Sequence, residues 1–333
     1  MSTHDSNSPA SHSLGLRAGH WVEVRSADEI LATLDDRGAL DALPFMPEML
    51  QYCGKRFRVY KSAHKTCDTI EKYRGRSMTN AVHLEGLRCD GEAHDGCQAR
   101  CLLFWKEAWL KPISGPESPA GLPERAAAPE VARGHAQCDS KVLVRAVKAQ
   151  GSDERYSCQA TELLRATTPL PWWDVRQYAK DLATGNVRLR DFVVYLAIAG
   201  YNAVMRLHWR GRPYPYIRGL AADKTDPGTL NLRPGELVQV RSKVEIMRTL
   251  NDSQKNRGLW FDAEMVPYCG RTFRVLERVE KLVDEKTGKM ISMRNPCVIL
   301  DEAVCSGCLS NYRLFCPRSL YPFWRESWLK RVE

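Results

Sequence analysis

The sequence predicts an α+β chain in which two duplicated small β-barrel domains are joined by a mainly helical middle region. Three observations predict it. Residues 17–59 lie over residues 233–275 at a constant offset of 216 without a gap, sharing R-x-G-x-x-V-x-V-R-S-x-x-E-I-x-x-T-L. Each copy holds short segments of alternating apolar and polar residues, the period of a strand with one buried face. The stretch between the copies lacks that pattern and carries apolar runs long enough for helices. A repeat of about 95 residues is too long for a solenoid unit and suits a small domain.

The segments Trp21-Val22-Glu23-Val24 and Leu237-Val238-Gln239-Val240 open the copies as strands. Ser26-x-x-Glu29 and Ser242-x-x-Glu245 follow as capping boxes, so a short helix is expected in each copy, with Ile30 and Leu34, or Ile246 and Leu250, on one face. The motif Glu-Met-x-x-Tyr-Cys-Gly-x-x-Phe-Arg-Val, at 48–59 and 264–275, predicts a glycine turn feeding a strand. In the second copy the strand runs to residue 283, residues 284–289 read as a hairpin loop, and residues 290–293 and 298–300 read as further strands. Both copies close on Phe-Trp-basic-Glu-x-Trp-Leu-Lys, at 104–111 and 323–330, whose tryptophans are expected in the core. One helix and several short strands in this order are similar to an SH3-like barrel.

The expected layout is a disordered tail at 1–16, a first cysteine-rich barrel repeat at 17–113, a flexible Pro- and Ala-rich linker at 114–137, a mainly helical middle region at 138–232 and a second barrel repeat at 233–333. Within the middle region, residues 141–147 have strand character and residues 173–182 and 189–210 read as helices. The apolar part of the last is shorter than the roughly 20 residues a membrane span needs. Arginines flank it and Trp172 and Trp173 stand nearby, so residues 172–212 are a candidate for peripheral contact with an anionic membrane.

Taken together, the paired Y-C-G-[KR]-x-F-R-V and F-W-[KR]-E-x-W-L-K motifs resemble a group of uncharacterised bacterial cysteine-rich proteins. The resemblance covers most of the chain and implies no particular chemistry.

Of 333 residues, 44% are hydrophobic and 27% charged, as in ordinary globular proteins, and the net charge of +9 permits an anionic partner without requiring one. The first 13 residues have neither a basic nor an apolar run, so no secretory signal is read there. Twelve cysteines then point to a reducing, cytoplasmic setting in which clustered thiols bind metal.

Candidate ligands in the first repeat are Cys67, His83, Cys89, Cys97 and Cys101, the last three spaced Cys-x7-Cys-x3-Cys. The second repeat offers Cys297, Cys305, Cys308 and Cys316, spaced Cys-x7-Cys-x2-Cys-x7-Cys. Thiolates converge on Zn²⁺ when two close cysteines on a turn are joined by later ones, which Cys305 and Cys308 satisfy best. Cys53 and Cys269, fixed between Tyr and Gly, read as structural. Only Cys53/Cys269, Cys89/Cys305 and Cys97/Cys316 are shared between copies, so two sites would use different ligand sets. The first copy is also the richer in His and acidic residues. Zn²⁺ is the expected cofactor and iron or an iron–sulfur cluster the alternative, although neither ferredoxin spacing is present.

No haem-attachment motif, phosphate-binding glycine loop, nucleophile elbow or H-E-x-x-H is found. These features predict a zinc-binding tandem-repeat protein that acts as a binding or scaffold module for a protein or small-molecule partner. The alternatives are a metal-dependent enzyme or redox accessory centred in the first repeat, and a nucleic-acid-binding tandem barrel, the less favoured of the two.

Overall fold

The computed structural model describes residues 13–71, 74–115, 140–147, 155–208, 211–221, 228–310 and 312–332; most of the expected tail and linker lies outside them. Helices and antiparallel sheets alternate along the chain. The first repeat runs β1 (Trp21–Val24), α1 (Ala27–Leu31), a small hairpin of β2 (Ala39–Leu40) and β3 (Leu43–Pro44), a 3-10 turn at Pro47–Tyr52, β4 (Arg56–Ser62), β5 (Lys65–Cys67), β6 (Gly75–Ser77), β7 (Ala81–Arg88), a 3-10 turn at Glu92–His94, β8 (Leu102–Lys106), a 3-10 turn at Glu107–Trp109 and β9 (Leu110–Ile113). The middle region contributes α2 (Ser140–Val147), β10 (Thr168–Pro169), α3 (Arg176–Ala183) and α4 (Leu189–Leu207). The second repeat follows as β11 (Leu237–Val240), α5 (Lys243–Met247), β12 (Lys255–Asn256), β13 (Leu259–Trp260), a 3-10 turn at Ala263–Tyr268, β14 (Thr272–Val283), β15 (Met290–Leu300), β16 (Trp324–Arg325), a 3-10 turn at Glu326–Trp328 and β17 (Leu329–Arg331).

Each repeat builds one five-stranded sheet, in the orders β8-β7-β4-β1-β9 and β16-β15-β14-β11-β17, so the strands recur in the same sequence. The pairing register slips at equivalent steps, between Val59 and Lys61 and between Val275 and Glu277, which places a bulge at the same point of both copies. The capping boxes form as expected: the amides of Glu29 and Glu245 donate to the hydroxyls of Ser26 and Ser242 at 3.3 Å, and each glutamate accepts from its serine amide.

The closing motif supplies the core of both sheets. Trp105, Trp109, Trp324 and Trp328 are fully buried. Phe45 meets Trp109 edge-on at 5.1 Å and Phe261 meets Trp328 at 5.2 Å, an arrangement favoured by the ring quadrupoles. The indole N–H groups of Trp109 and Trp328 donate to Thr33 and Thr249, just after the capped helices, at 3.1 and 2.9 Å, whereas those of Trp105 and Trp324 have no partner. Glu107 and Glu326, inside the same motif, turn inward. Glu107 accepts from the amides of Leu14 and Leu16, and Glu326 from those of Leu230, Asn231 and Leu232, tying the chain that enters each repeat to the strand that ends it.

Residues 141–147 form a helix rather than the expected strand. The valines favour a pleat locally, but Leu143 and Val147, one turn apart, are buried against the first repeat, and that packing decides the conformation. The other two helices start and stop within three residues of expectation. The middle region is bound to the first repeat by side chains that substitute for strand pairing. Gln159 bonds both backbone groups of Phe104, at 2.9 Å each, and Asn186 does the same to Ser62 at 2.8 and 2.9 Å. The fully buried Asp181 pairs with Lys65, whose ammonium also donates to the Leu314 carbonyl at 2.7 Å.

The repeats are interlocked. The amide of Gln98 donates to Lys281, and the Gln98 side chain bonds the backbone of Arg278, Glu280 and Lys281. Val283, at the tip of β14, is buried in the core of the first repeat, with Leu282 and Met290 packed beside it. Among the described residues no helix is long and apolar enough to cross a membrane. One face of α4 is docked, with Phe192 stacked on Phe315 and Asn202 paired to Tyr214. The opposite face exposes Leu189, Val193, Leu196, Val204 and Leu207.

Candidate metal centre

Three parts of the first repeat meet at Cys89. Glu48 comes from the 3-10 turn after β3, Cys89 from the end of β7, and His94 from the short turn that follows. That turn depends on Gly91, whose φ is 81° and where a Cβ would stand 1.9 Å from the Cys97 carbonyl oxygen; no other residue lets the chain fold back so tightly. One donor atom from each of Glu48, Cys89 and His94 lies within 4.8 Å of the other two, so the group could hold a metal ion. The Cys89 sulfur is 3.9 Å from His94 Nδ1.

The polar atoms of this group are otherwise left over. The Glu48 carboxylate reaches only its own amide and the Cys89 thiol, and Nε2 of His94 has no hydrogen-bond partner, although Glu48 is 9% and His94 2% exposed. A buried polar atom without a partner costs about 1–3 kcal/mol, so an ion or water bound at this cluster would be stabilising. Cys97, Cys101 and Cys158 line the same cavity, of about 40 Å³, room for an ion or a water or two. Cys97 accepts the Val283 amide at 3.3 Å, and the Cys158 sulfur accepts the amides of Ala160 and Thr161, bonds that stabilise a thiolate.

Burial governs the electrostatics. It pushes the Cys101 thiol up to about 12 and the Cys158 thiol up to about 11, with neighbouring thiols adding to the effect. Burial and then the Glu48 carboxylate push Cys89 higher still. Glu48 itself is raised by burial, and His94 is lowered to about 4 for the same reason. Without a cation these thiols and the His94 imidazole are neutral at pH 7. A divalent ion reverses that logic, deprotonating the thiols and taking a lone pair from the already neutral imidazole.

Of the ligands expected in the first repeat, Cys89, Cys97 and Cys101 come together in this cavity. His83 does not join them. It pairs opposite Lys61 in the sheet, the place that Ile299 holds opposite Glu277 in the second copy, and it is buried there with Nδ1 on the Leu103 carbonyl at 2.9 Å. Cys297 likewise stands where the first copy has the buried Ala81, packed with Val279 and Ile299 as a small apolar side chain. Cys67 lies apart from the cavity, against Cys316 of the second repeat, with Cys305 close by. Cys53 and Cys269 are half-buried at the ends of their 3-10 turns.

Glu48 and Cys158 are parts of the cavity that the spacing of cysteines did not reveal. Glu48 left a signal, being a carboxylate repeated as Glu264 in an otherwise structural motif. Cys158 left none, because it stands outside both repeats. No protein-family model, no curated protein and no solved structure matches the chain.

Proposed function

We propose that the chain is a zinc-stapled tandem-repeat scaffold of two SH3-like barrels, in which a metal at Cys89 fastens the first repeat to the middle region and to the hairpin of the second. The barrel reading is supported by the shared strand order, in which the last strand returns beside the first after a 3-10 turn. The observation that carries the metal reading is the convergence of Glu48, Cys89 and His94, with an unpartnered buried imidazole nitrogen, in a cavity lined by three further thiols.

Sulfur and imidazole donors suit zinc, whereas calcium and magnesium want oxygen. A catalytic zinc keeps one position open to water, while structural zinc is closed by protein. The centre is of the closed kind: Val283 and Glu285 of the second repeat and Gln159 to Thr161 of the middle region cover it. Its thiols need a reducing compartment, which favours the cytoplasm.

Binding is assigned to the exposed apolar face of α4. Arg188 and Arg190 stand at its N-terminal end, Arg212 folds back beside Tyr201, and the exposed Trp172 and Trp173 precede it in the chain, a composition that suits an anionic membrane surface. The metal reading is tested on protein purified anaerobically. Zinc is expected to survive desalting, and Cys89→Ser is expected to lose one equivalent and several degrees of thermal midpoint. A metal-free protein that melts at the same temperature as one reconstituted with zinc contradicts it.

A further inference from the structure

We propose a second metal centre, split between the repeats, in which Cys67 of the first repeat joins Cys305, Cys308 and Cys316 of the second around one zinc ion. It shares no ligand with the centre at Cys89 and stands or falls separately.

Cys67 ends β5 and is buried, as is Cys316, 249 positions later in the chain. Their thiols are hydrogen-bonded to each other, and Cys305 lies within electrostatic reach of both. The backbone is shaped for such a group. Gly307, between Cys305 and Cys308, has φ 71°, and a Cβ there would stand 2.6 Å from the Cys316 amide nitrogen, so the Cys305 turn is pressed directly onto Cys316. The Phe315 amide closes the contact by donating to the Gly307 carbonyl at 2.8 Å. Two amides then point at sulfur: Gly307 N–H at Cys305 and Arg318 N–H at Cys316. Each amide lies two residues beyond its cysteine and favours the thiolate, while burial and the neighbouring thiols favour the thiol.

The surrounding charge agrees. Arg318 is 2% exposed and donates to the Cys67 carbonyl, to Thr69 and to Glu285. A buried guanidinium needs more negative charge than one carboxylate supplies, and after Glu285 its nearest acidic neighbours are Cys67, Cys101 and Cys316. A zinc ion bound by four thiolates carries two negative charges and supplies the balance. No three of the four sulfurs lie within 4.8 Å of one another, and the Cys308 sulfur faces the Ser306 carbonyl at 3.7 Å. Binding therefore draws the side chains of Cys305 and Cys308 toward the Cys67 and Cys316 pair, releasing the thiol protons to solvent.

The test counts metal on the full chain, purified anaerobically with a non-thiol reductant, by native mass spectrometry. Wild type is expected to carry two zinc ions. Cys67→Ser and Cys316→Ser are each expected to carry one, Cys89→Ser one, and Cys67→Ser combined with Cys89→Ser none. Cys308→Ser reads the same centre from a more exposed position should the buried variants fail to fold. Two zinc ions retained by Cys67→Ser and Cys308→Ser overturn the proposal. So does a single wild-type equivalent that disappears with Cys89→Ser, or a disulfide mapped between Cys67 and Cys316 in the anaerobic protein.

Discussion

Glu48 and Glu264 hold the same place in the two copies of the repeat and do opposite things there. Glu264 is saturated, accepting from the amide and hydroxyl of Ser306, the amide of Leu309 and the hydroxyl of Ser310, so it organises the loop that bears Cys305 and Cys308. Glu48 has no such loop to hold, and its carboxylate is left beside Cys89 and His94. Glu107 and Glu326, by contrast, do identical work in both copies. The two copies therefore use alike the carboxylates at the sheet ends and differ at this one, which in the first copy stands in a group that could hold a cation.

The largest effect separating the copies should come from Glu264→Ala. It strands four donors, two of them on the buried Leu309 and Ser310, and is expected to cost roughly 3–5 kcal/mol in urea unfolding. A loss below about 1 kcal/mol would show that the loop is held by something else.

Next is His83, which the second copy replaces with Ile299. Burial lowers the His83 imidazole to about 3, so the folded state keeps it neutral while the unfolded chain takes up a proton below about pH 6.5. The unfolded state then binds more protons, so stability falls with acidity across that window, by roughly 2 kcal/mol between pH 6.5 and 5 from this group. His83→Ile is expected to remove that part of the slope. Urea unfolding at pH 7 and pH 5 checks it, and equal slopes for variant and wild type would contradict a neutral buried imidazole.

Glu48→Gln is smaller in stability and sharper in meaning. The amide of glutamine can keep the bonds to its own backbone and to the Cys89 thiol, so the metal-free variant should lie within about 1 kcal/mol of wild type. Zinc affinity should drop by about 10–100-fold, as when a ligand or its supporting partner is removed. Competition with a chromophoric chelator reads this, and an unchanged affinity would return Glu48 to a structural role. Smallest of all, Val193→Glu with Leu196→Glu should leave melting unchanged and abolish co-sedimentation with anionic phosphatidylglycerol vesicles. Wild type that fails to sediment would remove the membrane from the account.

Much of the fold was legible because it rests on local signals written twice. The Ser26 and Ser242 caps, the alternating strands and the aromatic closure each satisfy a short-range rule, and duplication confirmed every one against its partner. Residues 141–147 misled because valine favours strands locally while Leu143 and Val147 find their partners in a distant core. The candidate centres were half legible for a related reason. Cys89, Cys97 and Cys101 announce themselves by spacing, but Cys158 and Cys67 reach their clusters through long-range packing, which spacing does not encode. His83 and Cys297 show the converse: chemically suggestive residues that the sheet register assigns to the core.

Zinc-edge X-ray absorption of the anaerobically purified protein tests the central claim most directly. The account predicts retained zinc with a four-coordinate shell dominated by sulfur at about 2.3 Å and at most a minority of lighter ligands near 2.0–2.1 Å. Folded protein without zinc, or zinc in a shell of oxygen and nitrogen alone, would contradict it.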